Sequence, residues 1–114
     1  MDQITKRDKY RRILREVVER HAAQSRRRGQ SEAVPICDET HDNYLLMSVG
    51  WRGNERDHYV MFHLRLKEGR VWIEWDGIEY GIAQDLLAAG IPQEDIVMAF
   101  YNPAPQPLVQ LAAA

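Results

Sequence analysis

The sequence from Val71 to Pro92, VWIEWDGIEYGIAQDLLAAGIP, decides how this chain folds. Its opening residues mix β-branched, aromatic and charged side chains in the way that is typical of a strand. Gly77 then breaks the strand, and residues 82–89 carry the apolar spacing of a short helix. Gly90 suits the position after a helix, because glycine adopts positive φ without strain. The segment therefore predicts a strand that turns sharply into a short helix.

A β-hairpin that ends in this strand is the clearest local pattern. Glu68 and Gly69 suit a two-residue turn, and they join strands predicted over residues 57–67 and 70–76. Because side chains alternate between the two faces of a strand, the turn sets which residues lie opposite each other. On the core face we expect the pairs Leu66 with Val71, Leu64 with Ile73, and Phe62 with Trp75.

The opposite face of the hairpin carries the polar candidates for function. Alternation predicts three pairs there: Arg65 with Trp72, His63 with Glu74, and Met61 with Asp76. A carboxylate beside His63 would raise the imidazole pKa, so His63, Glu74 and Asp76 form a candidate acid–base or weak metal site. The alternative is a cross-strand ion pair, which stabilises by at most about 1 kcal/mol. Asp76 and Glu79 also have local structural explanations, an Asx turn across Gly77 and a cap on the short helix.

Trp72 falls on this second face, where an outward tryptophan would add a large contact area at little entropic cost. It therefore predicts an interaction surface. The alternative is that the chain's own first helix covers the indole ring. We expect the functional surface to contain Trp72, His63, Glu74, Asp76 and Glu79.

The remaining elements complete a single domain over residues 1–114. Apolar side chains at helical spacing predict a first helix over residues 5–25, with Thr5 as its N-cap. Further strands are predicted over residues 34–37, 44–51 and 96–101, and Pro35 indicates that the first of them lies at a sheet edge. The prediction is an α+β fold: an N-terminal helix, a four-stranded mainly antiparallel meander, a short helix, a C-terminal strand and a Pro-rich tail.

Charge is unevenly distributed along the chain. Residues 1–28 carry a net +6 and residues 29–114 a net −8. A basic first helix could meet phosphates, but Glu16 and Glu19 interrupt it and the rest of the chain is acidic. A solvated helix face is the plainer interpretation, and we expect any effect on DNA to be indirect. The candidate anion-contacting residues are Arg11, Arg12, Arg15, Arg26, Arg27 and Arg28.

Several classes of protein are disfavoured by what the sequence lacks. No apolar run approaches the roughly 20 residues that cross a bilayer, and the N-terminus lacks a secretory pattern, so we expect a cytoplasmic protein without membrane contact. Cys37 is the only cysteine, which excludes an internal disulfide or a thiolate-rich zinc site. No phosphate-binding loop or nucleophile elbow occurs. We therefore assign no catalytic residue, no metal ligand and no cofactor.

Motifs along nearly the whole chain resemble those of the XisI-like family. The most specific is Asp76-Gly77-x-Glu79-x-Gly81-Ile82-Ala83 after Val71-Trp72-Ile73, supported by Asp42-x-Tyr44-x-Leu46, Val49-Gly50-Trp51 and Glu94-Asp95-Ile96-Val97. The resemblance implies a cyanobacterial regulatory protein that controls excision of a DNA element, the fdxN element, and acts with a nuclease-like partner, XisH. It brings no established catalytic residues.

We therefore expect a non-enzymatic accessory protein that binds a XisH-like partner and self-associates, a dimer being favoured because a small chain with many apolar groups offers a docking surface. Two alternatives remain at the level of the sequence. One is a small hydrolase or metal-dependent enzyme that uses His63, Glu74 and Asp76. The other is a direct DNA-binding protein that uses the basic first helix.

Overall fold

The computed structural model describes residues 5–25 and 31–101, which form one five-stranded sheet with two helices. The strands lie in the order β1-β2-β3-β4-β5; β1 to β4 are antiparallel, and β5 runs parallel to β4. This arrangement confirms the predicted α+β fold. The elements are α1 (Lys6–Gln24), β1 (Glu32–Asp38), β2 (Asn43–Arg52), β3 (Glu55–Lys67), β4 (Arg70–Asp76), α2 (Ala83–Ala88), a 3₁₀ turn (Gln93–Asp95) and β5 (Ile96–Met98).

The first helix packs one stripe of side chains against the sheet. Its N-cap is Thr5, as predicted, whose hydroxyl accepts from the Asp8 N–H at 3.0 Å. The buried stripe consists of Tyr10, Ile13, Leu14, Val17, Val18 and His21. It meets one face of the sheet, here called the helical face, which contributes Tyr44, Leu46, Phe62, Leu64, Leu66, Val71 and Ile73. Burial of this apolar surface is the main stabilisation of the fold.

The sequence predicts the edge position of β1 correctly and the length of β5 incorrectly. The β1 strand, which contains Pro35, lies at a sheet edge, as expected. The expectation of a last strand through Tyr101 is wrong, because β5 ends at Met98. The Ala99 N–H still donates to the Ile73 carbonyl of β4 at 2.9 Å, and it also lies 3.0 Å from the Val97 carbonyl, where the chain turns. The predicted Pro-rich tail lies outside the described residues.

Two β-bulges shift the register of the sheet, one within the β3–β4 hairpin and one between β2 and β3. Leu64 lies opposite Ile73 and Leu66 opposite Val71, as predicted. Beyond them His63 lies opposite Trp75, because Glu74 is an extra residue in β4. A second bulge leaves Met61 as an extra residue between β2 and β3.

Three predicted pairs are therefore wrong: Phe62 with Trp75, His63 with Glu74, and Met61 with Asp76. Asp76 instead lies opposite Phe62, and Trp75 stands outside the core with 54% of its surface exposed. Alternation from the turn cannot reveal an extra residue, so the prediction fails at the first bulge and at every position after it.

The face of the sheet opposite the helices, here called the open face, is built from three cross-strand rows. The rows are Val34-Met47-Val60, Ile36-Leu45-His63-Trp75, and Asn43-Arg65-Trp72-Val97. None of these residues belongs to the buried core cluster. Among residues 5–25 and 31–101, both helices pack on the other side, so the fold divides the sheet into a covered face and an uncovered one.

Candidate functional surface

The Asp76 carboxylate organises the turn between β4 and α2. One carboxylate oxygen accepts the Ile78 N–H at 3.0 Å, which is the predicted Asx turn across Gly77. The other accepts the N–H of Ile82, the N-cap residue of α2, also at 3.0 Å. A single side chain thus ties both ends of the loop together. Its role in this position is to fix the loop.

Gly77 is required by a close approach of two strands. Its N–H donates to the carbonyl of the bulged Met61 at 2.7 Å. A Cβ added at Gly77 would lie 2.8 Å from the same carbonyl oxygen, which is closer than real Cβ contacts allow. The Asp-Gly pair in this motif therefore has a structural explanation that is independent of chemistry.

Glu79 does not cap the short helix, so that expectation is wrong. The N-cap of α2 is Ile82, and no side chain bonds there. Glu79 is exposed at the tip of the loop, beside Tyr80, which has 58% of its surface exposed. The Asp76 carboxylate, and not that of Glu79, accepts the backbone N–H of Ile82 at the start of the helix. The Glu79 side chain is exposed to solvent.

His63 lies within the open face and bonds away from the acids. Its Nε2 lies 2.9 Å from the Asn43 amide oxygen. Burial lowers the imidazole pKa, and nearby Arg65 adds to this, while the charge of Glu74 opposes it. His63 is therefore held toward its neutral form, whereas the predicted pairing with Glu74 would have raised its pKa.

Glu74 pairs with Arg65, at 3.4 Å between a carboxylate oxygen and a guanidinium nitrogen. His63, Glu74 and Asp76 thus bond to three different groups, and the acid–base constellation proposed from the sequence is not assembled. Within residues 5–25 and 31–101, no cluster of three or more His, Cys, Asp or Glu side chains is placed to hold a metal ion.

Trp72 lies on the open face, as the alternation predicts, so the alternative that α1 covers it is wrong. Its indole N–H donates to the Lys67 carbonyl at 2.9 Å, and the Lys67 ammonium stands 4.1 Å from the ring centroid. The ring is half-buried by its own strand neighbours. Trp75 is more accessible than Trp72. The bulge at Glu74 places Trp75 on the open face, opposite His63.

The candidate anion-contacting arginines of the first helix are engaged with carboxylates. Arg11 donates two hydrogen bonds to Asp42, at 2.9 and 3.0 Å. Arg15 donates to Glu39 at 2.7 Å. Contact with a phosphate through either guanidinium would have to compete with these bonds.

The other candidate arginines fall in two groups. Arg12 is exposed and lies 3.5 Å from Glu16 one helical turn away, a pair of little energetic weight. Arg26, Arg27 and Arg28 lie outside the described residues. The anion-contacting role of all six arginines stays a prediction.

A polar cluster between the two helices was not recognised in the sequence. Asp85 of α2 lies 2.5 Å from the His21 Nε2 and accepts from the Tyr80 hydroxyl at 2.8 Å. Burial alone would raise the pKa of Asp85, but the bonds from His21 and Tyr80 outweigh it and lower the pKa. The His21 ring also packs edge-on against Phe62. His21 and Asp85 are far apart in sequence, and no spacing rule connects them.

Cys37 lies half-buried on β1. Burial raises its pKa, and the positive charge of Arg15 only partly offsets this effect. A thiol with a raised pKa is a poor nucleophile at neutral pH.

The fold and the loop geometry define a small α+β protein whose specific motif shapes the β4–α2 loop. The chain belongs to the XisI protein family, whose model matches residues 1–113. None of its described helices is long and apolar enough to cross a membrane. A comparison with curated proteins finds no match.

Two solved structures from Anabaena variabilis ATCC 29413 share the fold. A XisI-like protein has a TM-score of 0.81 and 26% identity, covering 87% of this chain and 91% of its own. The fdxN element excision controlling factor XisI has a TM-score of 0.76 and 31% identity, covering 90% of this chain and 99% of its own. The resemblance stated from the sequence is thereby confirmed.

Proposed function

We propose that this protein is a non-enzymatic accessory factor that controls excision of a DNA element by binding a XisH-like protein. The observation that carries the proposal is the full-length similarity to the fdxN element excision controlling factor XisI, at 31% identity over 99% of that chain. A similarity over the whole length, at this level of identity, supports a shared mode of action more strongly than a shared fold alone.

The β4–α2 loop is the surface we assign to the XisH-like partner. Asp76 holds the loop in one conformation, which lowers the entropic cost of binding. Glu79 and Tyr80 are exposed at its tip. An aromatic side chain beside a carboxylate suits a partner surface that is apolar with a basic rim.

We propose a non-enzymatic role because the candidate acid and base side chains are not brought together. His63, Glu74 and Asp76 each bond to a different neighbour, so a general acid and a general base do not converge on one position. Direct DNA binding is disfavoured because Arg11 and Arg15 are already neutralised by Asp42 and Glu39. We therefore assign contact with DNA to the partner.

Co-purification with the XisH-like protein of the same genome tests the proposal. The wild-type chain is expected to form a complex that survives size-exclusion chromatography. Glu79→Lys should weaken that complex by about tenfold or more, since a reversed charge at a rim raises the free energy of binding. Glu55→Lys makes the same charge change at the exposed first residue of β3 and should leave binding unchanged. A wild-type chain that does not bind the XisH-like protein contradicts the proposal.

Fluorescence anisotropy with duplex DNA tests the DNA-binding alternative. We expect weak binding by the isolated chain. Tight binding with a steep loss of affinity as salt is added, reduced further by Arg12→Ala, would favour direct contact through the first helix.

A further inference from the structure

The open face of the sheet is more apolar than the solvated face of a sheet usually is. Its two upper rows, Val34-Met47-Val60 and Ile36-Leu45-His63-Trp75, contain one imidazole and otherwise apolar side chains. In a sheet with one solvated face, the outward positions are normally polar. Uncovered apolar surface of this kind marks an interaction site.

All three tryptophans of the chain lie on this face. Trp72 and Trp75 lie on β4. Trp51 lies near the end of β2, and the alternation of side chains along that strand places it on the same face as Met47. Trp51 and Trp75 are 46% and 54% exposed. Tryptophan is among the residues most enriched at interface hot spots, because it buries a large area while losing few rotamers.

The polar side chains at the centre of the open face already have partners within the chain. Arg65 bonds to Glu74, and His63 bonds to the neutral Asn43. A two-fold axis places a surface patch against the same patch of a second copy, so an unpaired charge near the axis would face its own like charge. A centre without unpaired charge is suited to packing on itself.

The flat area of the open face can be compared with the area that a dimer interface needs. Four strands at the usual spacing of about 4.8 Å cover about 19 Å across the sheet, and a strand of seven residues, the length of β1 and β4, covers about 23 Å. That rectangle measures about 440 Å², and side chains standing on it present more surface than the plane itself. The flat area alone is thus about half of the roughly 800 Å² that each partner gives to a standard interface, and the relief of the side chains adds to it.

We propose that the open face binds the open face of a second copy of this chain, forming a two-fold sheet-on-sheet dimer centred on Leu45, Met47 and Trp75. The rows then interdigitate across a shared apolar core about 10 Å thick, as in a β-sandwich. The β4–α2 loop lies at the end of β4, so Glu79 stays available to another partner. The proposal does not depend on the excision role.

Sedimentation velocity over a wide concentration range tests the dimer with the full chain. The wild type should sediment with twice the chain mass of 13.3 kDa. Met47→Lys and Leu45→Arg should each raise the dissociation constant by about a hundredfold or more, because an unpaired charge buried in an interface is costly. Leu87→Lys places the same charge on an exposed apolar position of α2, away from the open face, and should leave the dimer intact.

Tryptophan fluorescence gives a second readout that needs no substitution. Because all three indoles lie on the open face, acrylamide quenching should decrease as the protein concentration rises through the dissociation constant. Circular dichroism shows whether Met47→Lys and Leu45→Arg remain folded. If neither folds, the concentration dependence of quenching decides the proposal by itself.

Three results would overturn the proposal. The first is a wild-type chain that stays monomeric and whose quenching does not change with concentration. In that case, loss of binding to the XisH-like protein in Met47→Lys would assign the open face to that partner. Increased quenching in Leu111→Asp would instead assign it to residues 102–114 of the same chain. A dimer that is disrupted by Leu87→Lys and not by Met47→Lys would place the interface on the helical side.

Discussion

The Asp76 carboxylate fixes the start of the second helix by accepting the backbone N–H of Ile82 at 3.0 Å. Its second oxygen accepts the Ile78 N–H at the same distance, so the loop between β4 and α2 closes on one side chain. The α2 helix has six residues and lacks a side-chain cap at its own N-cap position. A helix this short is not stable by itself, and its position therefore depends on Asp76 and on the burial of Leu86.

Replacing Asp76 with alanine should lower the free energy of unfolding by about 2 kcal/mol or more. The substitution leaves two backbone N–H groups without their charged acceptor, and each such bond is worth about 1.5–3 kcal/mol. Urea denaturation monitored by circular dichroism measures the effect. Glu79→Ala is the control, with an expected change of about 0.5 kcal/mol or less, since its carboxylate is exposed. Equal losses in the two variants would contradict the role assigned to Asp76.

The sequence is most informative where structure is local. The first helix, the turn at Glu68 and Gly69, and the pairs Leu66 with Val71 and Leu64 with Ile73 were all predictable, because helical spacing, turn chemistry and alternation act over a few residues. The Asx turn at Asp76 belongs to the same group. Each depends on neighbours that the sequence itself places side by side.

The candidate site was less predictable because it depends on two bulges and on long-range contacts. The extra residue at Glu74 carries Trp75 to the open face and separates His63 from Glu74. Nothing in the alternation of β4 indicates that residue. The pairing of His21 with Asp85 joins two elements across most of the chain, and only the packing of α1 beside α2 brings them together.

The Asp42 carboxylate should make the stability of the fold depend on acid pH. Burial alone would raise its pKa, but bonds from the Arg11 guanidinium and the Tyr44 hydroxyl outweigh burial and lower the pKa. A carboxyl with a lowered pKa in the folded state stabilises the protein above its unfolded pKa of about 3.9, and this stabilisation is lost as the pH falls through the folded value.

Asp42→Asn should therefore be less stable than the wild type at neutral pH, and the difference should shrink as the pH falls below about 4. Asparagine also tolerates the positive φ of 55° at this position, so the substitution changes charge with little backbone strain. Urea denaturation at a series of pH values measures the difference. Glu55→Gln, at the exposed first residue of β3, is the control. A difference for Asp42→Asn that stays constant with pH would show that the ion pair contributes little.

The contact between His21 and Asp85 should couple the two helices energetically. His21 is buried, with 7% of its surface exposed, and its bond to Asp85 is the polar link between α1 and α2 described above. A double-mutant cycle with His21→Gln and Asp85→Asn is expected to give a coupling energy of about 1–2 kcal/mol, as for other residues within one hydrogen-bonded network. Tyr80→Phe should cost less, because the Tyr80 side chain is largely exposed. Additive single-mutant effects would instead show that each residue contributes through packing alone.

Deleting Glu74 should remove the bulge and leave the fold in place. Without this residue, the pairs Leu64 with Ile73 and His63 with Trp75 become consecutive in a regular antiparallel ladder, and Trp75 still faces outward. We expect a folded protein that loses the Arg65 ion pair and about 2 kcal/mol or less of stability, since an exposed pair contributes little. Deleting Ile73 is the matched comparison, because it would bring Glu74 into a core position and should unfold the chain. Circular dichroism and urea denaturation distinguish the two. A Glu74 deletion as damaging as the Ile73 deletion would mean that the bend made by the bulge, rather than the register alone, holds the Asp76 loop in place.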